Sequence, residues 1–250
     1  MRYTGAPARR VELERLLASE GYVSSADVAA RMGVSEMTIR RDLQLLESEG
    51  RVRRVAGGAA PAGVGLPFER RDAVDGSFKR LVAEAAAAEI AGCRTIALDA
   101  GTTVAAMTPL LRAETVVTHS LPVITALASR RPGALVAAGG HYQADTRAFA
   151  GPLAEATLRN VHTDVAVLSA TALTADALWG TNALDAAIKR IMAAQAERVV
   201  VVADGAKLGA VAPLRISDSA IANVVVTDAR ADAEVVAALR GRGLIVRIVA

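Results

Sequence analysis

The 250-residue chain is 52% hydrophobic but only 3% aromatic, a composition that suits α/β packing of small aliphatic side chains better than an all-β sandwich. Its single cysteine excludes an internal disulfide framework, and we find no apolar run typical of a signal peptide or a membrane span, so we expect a cytoplasmic protein. The net charge of +3 does not by itself indicate a nucleic-acid partner, so that inference depends on where the arginines lie.

The N-terminal part of the chain is predicted to form three helices and a short hairpin. The apolar positions of ARRVELERLLAS have helical spacing, and SSADVAARMG begins with a serine at a capping position and stops at Gly33. The third helix is predicted to begin after Ser35 as its N-cap, with Ile39, Leu43 and Leu46 on its buried face.

The third predicted helix carries polar side chains opposite its apolar face. Stepping about 100° per residue from the buried positions points Met37, Arg41 and Gln44 outward, with Arg40 on the flank. Arginine can bond guanine edges or phosphates, and glutamine can pair with adenine. Two helices joined by a short glycine-containing turn, the second with such a face, form the helix-turn-helix arrangement that enters the major groove. The alternative, in which the arginines only solvate the helix and pair with Asp42 or Glu36, remains open.

The stretch RVRRVAGGAA alternates like a strand and is predicted to form a basic hairpin, or wing, whose arginines lie near DNA phosphates. Such contacts supply affinity and register rather than sequence information. The predicted DNA-binding residues of the helix and wing are Ser35, Met37, Thr38, Arg40, Arg41, Gln44, Arg51, Arg53 and Arg54.

The remainder of the chain changes to strands that alternate with helices. The stretch GGAAPAGVGLP is rich in glycine, alanine and proline and reads as part of a linker. Seven apolar strands are then predicted: TIALDA, TVVTH, ALVAAGG, DVAVLSA, RVVVVAD, NVVVTD and LIVRIV. Continuous apolar strands joined by helices indicate a largely parallel sheet covered on both faces. We therefore predict a DNA-binding domain at 1–58, a linker at 59–76 and an α/β effector-sensing domain at 77–250.

Polar residues follow two of these strands. Asp99 precedes a glycine and two threonines that open a helix, where hydroxyls and free N–H groups favour an anion. Asp204 and Lys207 follow the strand RVVVV, and lysine serves phosphate as a point charge whereas arginine favours planar bidentate partners. Because ligands bind at the carboxyl ends of parallel strands, these residues predict a pocket for a phosphorylated ligand. The alternatives are that Asp99 caps a helix and that Lys207 is a solvated loop residue.

The segment SSADVAARMGVSEMTIRRDLQLLESEGRVRRVAGGA resembles the winged helix-turn-helix of the DeoR family of bacterial transcriptional regulators. The segments FERR, LDAGTTVA, VTHSLP, GGHY, AFAGPLAE, ADGAKLG and VVVTD continue the resemblance over nearly the whole chain. It implies that the second domain is doubly wound, similar in fold to ribose-5-phosphate isomerase, and senses a phosphorylated sugar that alters operator binding. No catalytic residue, metal or cofactor is implied. Together, the residues and the resemblance give these candidate effector-binding residues: Asp99, Gly101, Thr102, Thr103, Gly139, Gly140, Asn182, Lys189, Asp204 and Lys207.

Several positions leave alternatives open. Lys189 either points into the cleft, as the resemblance implies, or lies on the surface and pairs with Asp185. His119 stands where the family usually has asparagine, the stretch after DVAVLSA lacks the family's glycines, and Ala56 stands where the wing commonly has histidine.

The function that we predict is a transcriptional regulator, most simply a repressor, that forms a homodimer or larger homo-oligomer to bind two half-sites. Two alternatives stay open. One is a phosphosugar isomerase-like enzyme with Asp99 or Asp204 as its carboxylate base, and the other is a DNA-binding regulator with a vestigial sensor.

Overall fold

The computed structural model describes residues 5–20, 22–49, 51–55, 57–61, 68–73, 76–130 and 133–250. Its helices are α1 (Ala6–Glu20), α2 (Ser25–Met32), α3 (Glu36–Ser48), α4 (Phe68–Ala73), α5 (Gly76–Glu89), α6 (Thr102–Met107), α7 (Leu121–Ala128), α8 (Pro152–Arg159), α9 (Ala183–Ala194) and α10 (Ala233–Gly241). Its strands are β1 (Val23–Ser24), β2 (Val52–Val55), β3 (Gly58–Pro61), β4 (Thr95–Leu98), β5 (Thr115–Thr118), β6 (Ala134–Ala137), β7 (His141–Gln143), β8 (Ala148–Ala150), β9 (Thr163–Ser169), β10 (Ala172–Leu173), β11 (Ala177–Gly180), β12 (Ala196–Val202), β13 (Leu214–Asp218), β14 (Val224–Asp228) and β15 (Ile245–Val249).

The N-terminal region is the predicted winged helix-turn-helix. Gly33 ends α2 in the left-handed conformation (φ 66°), and Ser35 caps α3 by accepting a hydrogen bond from the Thr38 N–H at 3.2 Å. The predicted inner face of α3 is buried and packs against α1, α2 and the three-stranded sheet β1-β3-β2. Both predicted caps and the direction of α3 are therefore confirmed.

The segment predicted as a linker contains more structure than its composition indicated. Residues 58–61 form β3, which pairs with β2 and β1, and residues 68–73 form α4. The α4 helix is tied to the C-terminal region, because the Phe68 N–H donates to the carbonyl of Asp145 at 2.8 Å. Residues 62–67 of the predicted linker, and Ala56 of the wing, lie outside the described residues.

The C-terminal region is built on a seven-stranded parallel sheet in the order β15-β14-β12-β9-β4-β5-β6. All seven predicted strands belong to it. Helices α5, α6 and α7 cover one face of the sheet, and α8, α9 and α10 cover the other, each against its own apolar cluster. The prediction of a doubly wound parallel sheet is therefore confirmed.

The order of the strands reverses between β4 and β9. From β4 the chain runs outward through β5 and β6, then returns to place β9 on the other side of β4. This reversal opens a crevice at the carboxyl ends of the two strands, which is where ligands bind in open α/β sheets. A small antiparallel sheet, β10-β11-β13, and the hairpin β7-β8 flank the crevice. Among the residues described, none of the helices combines the length and apolarity needed to span a bilayer.

Candidate effector site and nucleic-acid interface

A cavity of about 410 Å³ lies at the carboxyl ends of β4 and β9. Its floor includes Ala100 after β4 and Ser169 at the end of β9. One wall comes from α9, which contributes Asp185 and Lys189. The volume falls within the range of small-molecule sites, roughly 300–1,000 Å³.

The charged centre of the site is Lys189, whose side chain is only 2% exposed. Its Nζ donates to Asp99 Oδ2, lies 3.2 Å from Ser169 Oγ and lies 3.5 Å from Asp185 Oδ2. The three acceptors match the three N–H donors of an ammonium. Lys189 therefore points inward and also pairs with Asp185, so the two orientations considered from the sequence are combined in one arrangement.

Asp99 lies beneath the cavity and is fully buried. Its Oδ2 accepts from the Ser169 N–H at 2.7 Å and from the Ser169 hydroxyl at 2.6 Å, and its Oδ1 lies 3.2 Å from His119 Nε2. Burial opposes ionisation, but the Lys189 ammonium and the hydrogen bond with His119 outweigh it and hold the pKa of Asp99 well below its ordinary value. The carboxylate is thus a charged anchor for its neighbours.

Asp185 differs from Asp99 because part of its carboxylate has no partner. Its Oδ1 is buried and accepts no hydrogen bond from the described residues, although the side chain lines the cavity. Burial raises the pKa of Asp185; the Lys189 charge opposes that shift, and the Asp99 charge adds to it. A buried acceptor without a donor is costly, so this oxygen is suited to accept from a ligand hydroxyl.

Asp99, His119 and Asp185 each place one potential metal-ligand atom within 4.8 Å of the other two. The sequence did not indicate this cluster, because the three residues are far apart along the chain. The Lys189 ammonium already contacts both carboxylates. The second ring nitrogen, His119 Nδ1, lies 2.8 Å from the Phe149 carbonyl. The cluster therefore has its positive charge from lysine, and His119 is a hydrogen-bonding partner of Asp99.

Lys207 lies at the edge of the cavity on a 3-10 helix, Gly205–Lys207, that follows β12. Its Nζ pairs with Asp204 Oδ2 at 3.0 Å, and its side chain remains 25% exposed. Asn182 also lines the cavity and caps α9 by accepting from the Leu184 N–H at 2.9 Å. The placement of Lys207 after a buried strand and beside a polar cavity agrees with the sequence prediction, while its role toward a ligand stays a prediction.

The other candidate effector residues do not themselves line the cavity: Asp99, Gly101, Thr102, Thr103, Gly139, Gly140 and Asp204. For two glycines the structure gives a packing reason instead of a close approach to a ligand. A Cβ on Gly101 would lie 2.5 Å from Ser169 Cβ, and one on Gly140 would lie 2.7 Å from the Ala150 carbonyl oxygen. Asp99 pairs with Lys189, and Asp204 pairs with Lys207.

The outward face of α3 carries the predicted base-reading side chains. Met37 is 59% exposed, and Arg41 and Gln44 are also exposed. Arg40 pairs with Glu36 at 2.6 Å, as the alternative reading of the sequence allowed. Among the described residues, nothing is paired with the Arg41 guanidinium. Ser35 and Thr38 are engaged with each other at the start of the helix (Oγ to Oγ1, 2.8 Å).

The three wing arginines have different surroundings. Arg51 pairs with Glu14 on α1 and lies 3.4 Å from Glu49. Arg54 is exposed, and its backbone N–H donates to the Glu47 carboxylate at 2.8 Å. Arg53 is partly buried, and both it and Arg54 line the cavity described above. The sequence predicted all three near DNA phosphates and did not indicate a second environment for Arg53.

Three other residues that shape the cavity could not be assigned to it from the sequence. Arg71 of α4 lines it, as do Asp185 and Ser169. Arg71 belongs to the motif FERR, which the sequence identifies only as part of the resemblance. Ser169 belongs to the strand DVAVLSA, and its hydrogen bonds with Asp99 join positions 70 residues apart.

Comparison with known proteins identifies the family. A family model described as DeoR-like helix-turn-helix domain matches residues 9–62, and one described as DeoR C terminal sensor domain matches residues 76–229. The chain belongs to the DeoR family. It is a DNA-binding transcriptional regulator, as the sequence predicted, with α3 as the recognition helix of its helix-turn-helix.

Curated relatives match over most of their length. The chain is 32% identical to a putative aga operon transcriptional repressor of Escherichia coli O157:H7, over 99% of this chain and 96% of that protein. It is 31% identical to an L-fucose operon activator of Haemophilus influenzae, over 84% and 86% of the two chains. A solved ribose 5 phosphate isomerase A from Neisseria gonorrhoeae has a TM-score of 0.39 and 18% identity over 52% of each chain.

Proposed function

We propose that this DeoR-family protein is a repressor whose operator binding is controlled by a phosphorylated sugar or a closely related metabolite. The observation that carries the proposal is the cavity at the strand reversal, which combines cationic side chains with a carboxylate oxygen, Asp185 Oδ1, that has no described partner. Carboxylates of this kind accept from hydroxyls, and cations bind phosphate, so the two together fit a phosphorylated polyol.

The charges around the cavity favour an anion. Five of the side chains that line it are cationic and two are anionic: Arg53, Arg54, Arg71, Lys189 and Lys207 against Asp145 and Asp185. The buried Lys189 is largely neutralised by the carboxylates it contacts, which leaves the outer cations to meet the ligand. The relative named as an aga operon repressor and the one named as an L-fucose operon activator support a regulator of carbohydrate genes.

The two alternatives from the sequence can be weighed against this cavity. A sensor that no longer binds a ligand would not require an unpartnered carboxylate oxygen and an excess of cationic side chains around a cavity. We therefore favour a site that binds an effector. An isomerase needs a carboxylate base, and Asp185, with its raised pKa and unpaired Oδ1, is the side chain that would serve. The relatives are regulators, and we propose that the carboxylate binds hydroxyls without catalysing turnover.

The proposal includes a division of the chain into a DNA-binding domain, which extends through β3 and so past the predicted limit at residue 58, and a sensing domain at 77–250. It also includes a homodimer or larger homo-oligomer, because a single recognition helix per chain reads only one half-site. A repressor of chromosomal operators acts in the bacterial cytoplasm, and we propose that location.

The test is fluorescence anisotropy of the full-length protein on the DNA upstream of its own gene, titrated with a panel of phosphorylated sugars and their unphosphorylated parents. We expect specific binding that one phosphorylated compound releases. Binding that no compound changes contradicts the proposed sensor, and turnover of a phosphorylated sugar by the purified protein supports the isomerase instead. The salt concentration is held constant, because phosphate contacts depend on it.

A further inference from the structure

The effector cavity is closed on one side by the wing of the DNA-binding region. Arg53, Arg54 and Val55 of β2 line it together with residues of the sheet and α9. A molecule in the cavity therefore contacts the hairpin that is expected to approach DNA phosphates. The same arginines face two kinds of anion.

Arg53 has an unsatisfied donor at this wall. Its Nη1 is buried and has no hydrogen-bond partner among the described residues. A buried guanidinium N–H without an acceptor is unfavourable, and the side chain also lines the cavity. An acceptor supplied by a ligand in the cavity relieves that cost.

A second guanidinium, that of Arg71, lines the same cavity. Burial lowers the pKa of Arg71, although the carboxylates of Asp185 and Asp99 oppose the shift. The positive charge of Arg53 lowers this pKa further, which places the two guanidinium groups within electrostatic reach of each other. An anion that binds both guanidinium groups turns this repulsion into two attractions.

The two arginines are attached to different parts of the molecule. Arg53 belongs to the wing, whereas α4, which carries Arg71, is held to the sensor. The Phe68 N–H of α4 donates to Asp145 at 2.8 Å, and Glu69 lies 3.4 Å from Arg147. An anion between Arg53 and Arg71 therefore connects the wing to the sensor domain.

We propose that Arg53 and Arg71 form the phosphate-binding end of the effector site, so that the phosphate monoester of the effector competes with DNA for the wing. This inference rests on the proposed function and adds its mechanism of regulation. Guanidinium groups bind phosphate in a bidentate manner, which gives the bridge a defined geometry. Effector binding holds Arg53 at the sensor, so the effector releases DNA, and by reciprocity DNA weakens effector binding by the same factor.

The experiment measures binding of inorganic phosphate to the full-length protein without DNA, by isothermal titration calorimetry in buffer of matched ionic strength. We expect Arg53→Ala to weaken phosphate binding by about tenfold or more. Arg53→Lys keeps the positive charge but loses the planar guanidinium, so its phosphate affinity should lie between those of the wild type and Arg53→Ala. Arg31→Ala is the control, because Arg31 is an arginine of α2 that does not line the cavity and pairs with Glu20. It should bind phosphate as the wild type does.

Equal phosphate affinity for the wild type and Arg53→Ala would overturn the proposal, and so would a wild type that binds no phosphate. Circular dichroism establishes that the variants are folded. The anisotropy assay distinguishes a failure of this proposal from a failure of the proposed function. A sugar phosphate that releases DNA equally from the wild type and from Arg53→Ala would keep the sensor and refute the bridge. Phosphate binding through Arg53, with no sugar phosphate that affects DNA, would keep the anion site and refute the sensor.

Discussion

Replacement of Lys189 by methionine tests how the charges of the site are balanced. The change removes the ammonium and keeps a side chain of similar length, so among the described residues it leaves the fully buried Asp99 with Ser169 and His119 as partners. It also leaves the partly buried Asp185 without its cation. We expect the variant to be strongly destabilised, because an unpaired buried carboxylate loses its hydration without compensation.

The magnitude follows from the burial of the pair. Removal of one partner of a buried ion pair costs about 3–5 kcal/mol, a large part of the roughly 5–15 kcal/mol by which native domains are stable. The wild-type pKa of Asp99 is lowered, so this carboxylate contributes stability above its unfolded value of 3.8, and the contribution is lost as the pH falls toward the folded pKa. In the Lys189 variant burial is opposed by His119 and the Ser169 hydrogen bonds but no longer by the ammonium, so the pKa of Asp99 is higher than in the wild type. The deficit is then largest at neutral pH and shrinks as the carboxylate becomes protonated.

The assay is urea unfolding, followed by circular dichroism, at neutral pH and at several values down to the acid limit of folding. The control is the double variant Asp99→Asn with Lys189→Met, in which neither charge remains, and it should recover part of the loss. A deficit no larger than about 1 kcal/mol, the size of an exposed ion pair, would refute the reasoning. A larger deficit that does not change with pH would show that packing, and not charge, stabilises this site.

Three other substitutions examine the interface, the pocket and the packing beneath it. Arg41→Ala should weaken operator binding by about tenfold or more while affecting an unrelated duplex less, as measured by anisotropy at constant salt. Lys207→Ala should leave DNA binding intact but require about tenfold more effector for release, and an unchanged dose response would contradict its role. Gly101→Ala should cost on the order of 1–3 kcal/mol, measured as a lower Tm, because its Cβ would lie 2.5 Å from Ser169 Cβ. Gly241→Ala, with no heavy atom within 4 Å of the new Cβ, is the control.

The main sheet could be predicted from the sequence because its signals are local. Each of the seven parallel strands is a continuous apolar run between breaks, and the caps at Gly33 and Ser35 are set by the residues themselves. The small sheet β10-β11-β13 could not be predicted in this way. Two of its strands, β10 and β11, have two and four residues, too few to establish an alternation; β10 pairs with β11, and β11 pairs with the distant β13.

The site was only partly predictable for a related reason. Asp99 and Lys207 follow obvious strands, whereas the contact between Asp99 and Lys189 joins positions 90 residues apart. Whether Lys189 was buried depended on how α9 packs onto the sheet, which a pairing at i and i+4 does not reveal. The position of Arg53 at the cavity depends on how the wing packs against the sensor domain, and no local sequence pattern indicates that packing.

The choice between lysine and arginine near the cavity is related to whether the protein or a ligand supplies the oxygens that accept hydrogen bonds. Of the 29 basic residues only three are lysines, and two of them, Lys189 and Lys207, line this cavity. Lys79 is buried and donates to the carbonyl of Arg71, Lys189 is buried in the cavity wall, and Lys207 pairs with Asp204 at the cavity edge. In each case the protein itself provides the oxygen that the ammonium binds.

Arginine at these positions would bring five donors where an ammonium brings three. Around Lys189 three protein oxygens match the three donors of the ammonium, whereas the five donors of a guanidinium would need further acceptors in this buried position. Where arginine does line the cavity, at Arg53 and Arg71, it lies at the wall between wing and sensor, where a phosphate can supply several oxygens at once. The buried Arg53 Nη1 has no hydrogen-bond partner among the described residues, so an acceptor from the ligand would complete its bonding, which is the reason to expect that the effector, and not the protein alone, positions the wing.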